Sequence, residues 1–239
     1  MSGVIAYERM RATTLKSTYV FPLIGAAVAW AASILFIADG ARVDEVNISE
    51  FIGQAFTPLS AVFLTIPFAQ TFGHEYRDGT IRLALSEYPQ RSRLFAAKLI
   101  VPAAIAFIAT VITVVGIAGI ALAGPSFFYV EITGFSSIAG VAVREAVFMV
   151  LWGLLVAAIT ALTRNMAAGI AGVLIWGLVL ENLLTLFLID RVPAIVDGLP
   201  IARGFGWVQT GDTALIFPMV LAAAVLTLAS YLKFVRTDA

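Results

Sequence analysis

Long apolar runs separated by short polar breaks organise this chain. Six runs are continuous enough to form helices that cross a bilayer: Tyr19–Ala38, Ile52–Phe72, Leu99–Ala123, Glu145–Thr163, Ala167–Leu188 and Ala214–Val235. About 20 apolar residues in a helix span a hydrocarbon core of about 30 Å. Backbone groups in lipid must pair within their own segment, which favours helices. The runs lack the two-residue alternation of a membrane barrel. The pattern therefore predicts an all-α membrane protein with six transmembrane helices in one transmembrane domain over residues 1–239. The fourth run has an ambiguous start, because Arg144 and Glu145 stand there and residues 136–144 read equally as an interfacial segment.

Three breaks have character of their own. Residues 1–17 alternate apolar positions with Glu8, Arg9, Arg11 and Lys16, which reads as an amphipathic helix on the membrane surface or as a frayed basic tail. Residues 73–98 hold "EYRDGTIRLALSEYPQRSR", the longest strongly polar stretch. Asp78-Gly79 signals a turn, Thr80 is a good N-cap, and Tyr88-Pro89 is a stop. One short Arg-rich helix is expected between them. It suits either docking to a cytoplasmic partner or simple anchoring at the headgroups. Residues 189–213 carry Pro193, Pro200 and four glycines among apolar residues, as short re-entrant or interfacial helices would.

Composition narrows the class. The chain is 61% hydrophobic and 13% charged, with a mean hydropathy of +0.98, and so few charges do not cover a soluble domain. The absence of cysteine excludes disulfides and thiolate metal sites, and a single histidine, His74, excludes a histidine-rich site within one chain. No metal is expected. Lys and Arg set orientation. With the N-terminus inside, eleven fall on inner segments and only Arg42, Arg144, Arg191 and Arg203 on outer ones. Both termini are thus expected in the cytoplasm. Ala29-Trp30-Ala31 imitates a cleavage site, but the first run exceeds a signal core of about 7–15 residues, so retention is expected.

Within the runs, Glu181 stands out as an acid well inside a span, sharing a helix face with Gly177 and Thr185. An acid at that depth must face protein, water or a counter-charge. It reads either as part of a transport pathway or as an acceptor for backbone of the 189–213 loop. Gln54, Thr57 and Thr65 share a face of the second run, which marks either a pathway or a helix contact.

The segment "GHEYRDGTIRLALSEYPQRSRLFAAKL" resembles the inner loop of type-2 ATP-binding cassette (ABC) export permeases. The matching residues are Glu75, Tyr76, Gly79, Thr80, Arg82, Pro89, Arg91 and Lys98. The stretch "ALTRNMAAGIAGVLIWGLVLENLL", the opening "YERMRATTLKS" and the proline-containing final loop are similar to the family as well. The resemblance implies a small bacterial plasma-membrane permease whose inner coupling helix sits in a groove of an ABC ATPase subunit. Those residues, with Arg77, would carry the ATPase coupling. It also implies a dimer, homomeric or heteromeric, with two ATPases and with ATP and Mg bound on the ATPases. The second and fifth spans would border the central cavity. The chain has no G-x-x-x-x-G-K-[ST] loop, so ATP hydrolysis would belong to the separate subunit and no cofactor to this one. The exported substrate would be amphipathic: a drug, antibiotic, peptide or lipid. An ion- or proton-coupled carrier or channel using Glu181, and an intramembrane enzyme, are the alternatives. Nucleic-acid binding is not expected.

Overall fold

The structure, a computed structural model, describes residues 2–40, 45–128 and 131–237. Helices dominate it. They are α1 (Ser2–Thr14), α2 (Lys16–Gly40), α3 (Ile48–Phe51), α4 (Thr57–Asp78), α5 (Ile81–Glu87), α6 (Arg91–Phe128), α7 (Ile138–Thr163), α8 (Met166–Leu174), α9 (Glu181–Leu188), α10 (Pro193–Asp197), α11 (Pro200–Thr210) and α12 (Phe217–Thr237). π-Helical turns at Ile52–Phe56 and Ile175–Leu180 join α3 to α4 and α8 to α9. Five helical stretches are long and apolar enough to cross a membrane, namely Lys16–Asp39, Arg91–Phe127, Phe135–Thr163, Met166–Leu188 and Thr213–Arg236. The chain is an all-α, multi-pass membrane protein. Its only strands among the described residues form a parallel pair, β1 (Glu45–Asn47) with β2 (Glu131–Thr133), in register Val46 to Ile132.

The ambiguity at the fourth run resolves in favour of helix. Residues 138–163 form one uninterrupted helix, so the segment before Glu145 continues the span rather than lying flat. α7 is also the centre of the bundle. Its apolar window is 61% buried, against 17–33% for the other four, and it packs on α4, α6, α8 and α12. A glycine allows the closest approach: a Cβ at Gly153 would overlap the ring of Phe68 on α4. α4 is more polar than its neighbours yet nearly as buried, because its hydroxyls are turned toward α7 rather than toward lipid.

The turns follow local chemistry. Gly79 ends α4 in the left-handed region at φ 68°, which glycine adopts without Cβ strain. α5 then runs to Glu87, and Tyr88-Pro89 stops it as the sequence predicts. Thr80 does not cap it by side chain. Its backbone is already helical, at φ −77° and ψ −7°, rather than in the extended conformation of a capping residue. The Arg164-Asn165 pair also has a mechanical reason. Arg164 ends α7 at φ 55°, and Asn165 caps α8 by accepting from the amides of Ala167 and Ala168.

Candidate functional site

Opposite ends of α4 carry the two polar centres of the molecule. At the α5 end, four charges meet under cover. Lys98 Nζ on α6 donates to Glu8 Oε1 on α1 at 2.7 Å and to Glu75 Oε1 on α4 at 2.6 Å. Arg11 donates to Glu8 Oε2 at 2.9 Å and lies 3.2 Å from Glu75 Oε1. Its other nitrogen donates to the carbonyls of Gln70 and Thr71, both at 3.0 Å. Lys98 is fully buried, and Glu8 and Glu75 nearly so. Two cations against two carboxylates leave the cluster neutral, which is what burial demands. The Tyr7 phenol beside it is pushed up by burial and then by Glu75 and Glu8.

This cluster changes the reading of residues 1–14. α1 is neither a frayed tail nor a helix lying free on a surface. Its Glu8 is buried, and Tyr7 stacks near Tyr88 with ring centroids 5.3 Å apart. Glu75 and Lys98, two residues that the family resemblance points to, are interior residues here and hold α1, α4 and α6 together. The others divide by exposure. Arg77, Gly79, Thr80, Arg82 and Pro89 lie on the surface of the 73–98 loop, with Leu83 exposed beside them. Tyr76 is half-buried under the guanidinium of Arg164, 5.6 Å from its ring centre. Arg91 donates to the Val235 carbonyl of α12 at 2.8 Å. α5 turns Ile81 and Ala84 inward and Arg82 and Leu83 outward.

At the other end, Glu181 is fully buried and fixed by neutral donors. Its Oε2 accepts from the amides of Ile201 and Ala202 at 2.8 and 2.7 Å, and its Oε1 from Trp176 Nε1 at 2.5 Å. The π-turn accounts for the last bond, since it brings residues five apart into register. The two amides open α11, so the carboxylate caps a helix N-terminus, where negative charge is favoured. Arg144 completes the bracket: its Nε donates to the Val208 carbonyl at 2.9 Å, in the last turn of the same helix. Glu181 thus accepts from backbone of the 189–213 loop, as one of its two readings expects. Gly177 fits between Ile201 and Trp152, and Thr185 donates to its own helix at the Glu181 carbonyl.

The hydroxyls of the second run also point inward. Thr57 and Ser60 meet the buried carboxyl of Glu145 at 2.6 and 2.9 Å. Thr65 accepts from Trp152 Nε1 at 2.9 Å. Thr57 and Thr65 therefore make α4–α7 contacts within one chain. The side chain of Gln54 lies outside the described residues. At this end of α4 Glu145 is buried as well as Glu181, and the sequence pattern masked it behind its neighbour Arg144. Its helical spacing to Met149 and Trp152, at i+4 and i+7, is the signal that marks it as core-facing.

Among the described residues no cluster of His, Asp and Glu could hold a metal ion. No protein-family model and no curated protein matches this sequence, so function rests on the residues themselves.

Proposed function

We propose that the chain is the transmembrane subunit of an ATP-driven ABC exporter that moves an amphipathic substrate out of the cell together with a separate ATPase subunit. In this reading the run Ile52–Phe72, which leads into and forms most of α4, is a further span, second in chain order of six, and both termini face the cytoplasm of a bacterial plasma membrane, in keeping with the Lys and Arg bias. The observation that carries the reading is the loop between α4 and α6. α5 is a short helix with a buried apolar side and an exposed side bearing Arg82, Leu83 and, across the turn, Arg77. An exposed Leu beside a guanidinium group is a surface that a protein groove with an apolar pocket and carboxylates would accept. Directly behind it, the Glu8–Arg11–Glu75–Lys98 cluster ties the loop to α1 and α6. A push on α5 would thus reach two further helices.

Because Thr57, Thr65, Gly177 and Glu181 are taken up inside one chain, the substrate path is assigned to the boundary between two copies. The exposed apolar side of the fifth span, with Ile175, Val179, Leu183 and Leu186, offers a wall for it. A coupled carrier built on Glu181 is less well supported, because both carboxylate oxygens already hold α11 and Trp176.

The test is co-purification of the tagged full chain from its native membranes in mild detergent, with ATP hydrolysis measured in the eluate. The wild-type chain should bring an ATPase subunit with it. Arg82→Glu combined with Leu83→Asp should release that subunit while leaving the melting temperature of the permease unchanged. A wild-type chain that carries no ATPase activity would overturn the proposal.

A further inference from the structure

Prolines interrupt three of the long helices well inside their length: Pro22 in α2, Pro67 in α4 and Pro102 in α6. Pro125 belongs to the last turn of α6. α7, α8 and α9 have no proline, and α12 has one only in its first turn. The three interrupted helices are the ones that lead to the buried charged cluster. α4 carries Glu75, α6 carries Lys98, and α2 continues from α1, with its Glu8 and Arg11, across Leu15. The three also pack on one another.

A proline has no N–H, so it takes the helical donor from the carbonyl four residues earlier and loosens that turn. The turns affected are Thr18–Pro22, Phe63–Pro67 and Lys98–Pro102. They lie close together in the bundle. Thr18, Pro67 and Pro102 border one small cavity, with Glu8 and Arg11 of the cluster. Pro22 and Phe63 border a second, with Gly25 and Thr110. The cavities measure about 20 and about 10 Å³, each the size of about one water. Interiors are otherwise close-packed, so slack in the packing coincides with weakened backbone. In α4 the Thr71 hydroxyl adds to this by donating to the Pro67 carbonyl at 3.1 Å, a back-bond that bends helices.

On the α5 side of this level the contacts are firm. The cluster clamps α1 to α4 and α6, Arg11 reaches the carbonyls of Gln70 and Thr71, and Tyr7 meets Tyr88 just after α5. Lys98 belongs to both regions. Its side chain holds the cluster, and its carbonyl is the one that Pro102 leaves without a helical donor. This unit meets the rest of the bundle at its rim, on the last turns of α12 through Phe72, Phe95 and Arg91 and on the α7–α8 turn through Gly73 and Tyr76.

We propose that Pro22, Pro67 and Pro102 form a hinge layer, across which α1, α5 and the adjoining ends of α4 and α6 tilt as one body against a frame of α7, α8, α9 and α12. The hinge does not rest on the export reading, because a force applied at α5 by any partner would be carried through it. Its test therefore needs no ATPase.

The full chain has no cysteine of its own, so cysteine pairs can be spin-labelled and their distance distributions measured in lipid nanodiscs. Ser86→Cys with Ala167→Cys reads α5 against the start of α8, across the hinge. Ser86→Cys with Met10→Cys reads α5 against α1, within the tilting body. All three positions are exposed. The first distribution should be broad and the second narrow. Replacing the three prolines with Ala should narrow the first to the width of the second and leave the second unchanged. Pro102→Ala alone should narrow it in part, and serves if the triple variant fails to fold. The proposal is overturned if the wild-type pair across the hinge is already as narrow as the pair within the body, or if the proline variants leave its width unchanged. A pair within the body as broad as the pair across the hinge also overturns it, since α1 and α5 then do not move together.

Discussion

The two ends of α4 bury carboxylates by different means. At the α5 end, Glu8 and Glu75 face the full charges of Lys98 and Arg11. At the α11 end, Glu181 faces two backbone amides and an indole, and Glu145 faces two hydroxyls. The first arrangement gathers three helices far apart in sequence around one neutral cluster. Removing any member leaves an uncompensated charge indoors. The second uses dipoles, each worth less, and fixes one short helix upon the bundle. A rigid joint thus backs the exposed loop, and a more easily released contact holds α11.

The sharpest way to break this contrast is Lys98→Met. It keeps the length and apolar stem of the side chain but leaves Glu8 and Glu75 sharing Arg11. Losing one partner of a buried ion pair costs about 3–5 kcal/mol, so the detergent-solubilised variant should melt far below the wild type. Pairing it with Glu75→Gln should recover part of the loss, because the cluster is then neutral again. A Lys98→Met protein with wild-type stability would mean that the four charges do not act as a unit.

Much of the bundle is visible in the pattern of apolar runs, because lipid imposes the same demand on every residue of a span. Gly79, Pro89 and the Arg164-Asn165 turn are legible for a similar reason: each acts on backbone within a few residues of itself. What the pattern could not supply is direction. Glu8 and Arg11 look like the polar side of a surface helix, since their partners lie 67 and 90 positions from Glu8, at Glu75 and Lys98. Thr57 and Thr65 share a face, but a helical wheel does not say whether that face meets α7 or open space. Glu145 hid beside Arg144 because one helical step separates a side chain aimed at α4 from one aimed at α11.

Glu181→Ala comes next in size. It leaves the amides of Ile201 and Ala202 and the Trp176 indole without their acceptor, at about 1–3 kcal/mol for a buried group left unpaired. Glu181→Gln keeps an acceptor oxygen for the α11 amides and should lose less. Hydrogen exchange should show α11 opening first in the Ala variant, with α1 protection unchanged. Equal loosening of both ends would mean that the two centres are coupled through α4 rather than separate.

Arg144→Met tests the other bracket of α11. It removes a charge-assisted bond to the Val208 carbonyl near a helix C-terminus, worth about 0.3–1 kcal/mol where partly exposed. The loss should be smaller than for Glu181→Ala and confined to the last turn of α11. Combined with Glu181→Ala it should give more than the sum, because each single variant leaves the helix one anchor.

The smallest effect separates the two ends by pH. His74 is half-buried on α4 near the charged cluster. Burial, and then the positive charges of Arg77 and Arg11, hold its imidazole below the ordinary histidine range. The folded chain therefore takes up this proton less readily than the unfolded chain. That stabilisation is complete above the unfolded value of about 6.5 and fades as pH falls through it toward the lower folded value. Thermal melts taken at about pH 7.5 and about pH 5.5 should show a modest loss on acidification, and His74→Asn should flatten it. If His74→Asn retains the full slope, the acid sensitivity does not come from this imidazole and the prediction fails.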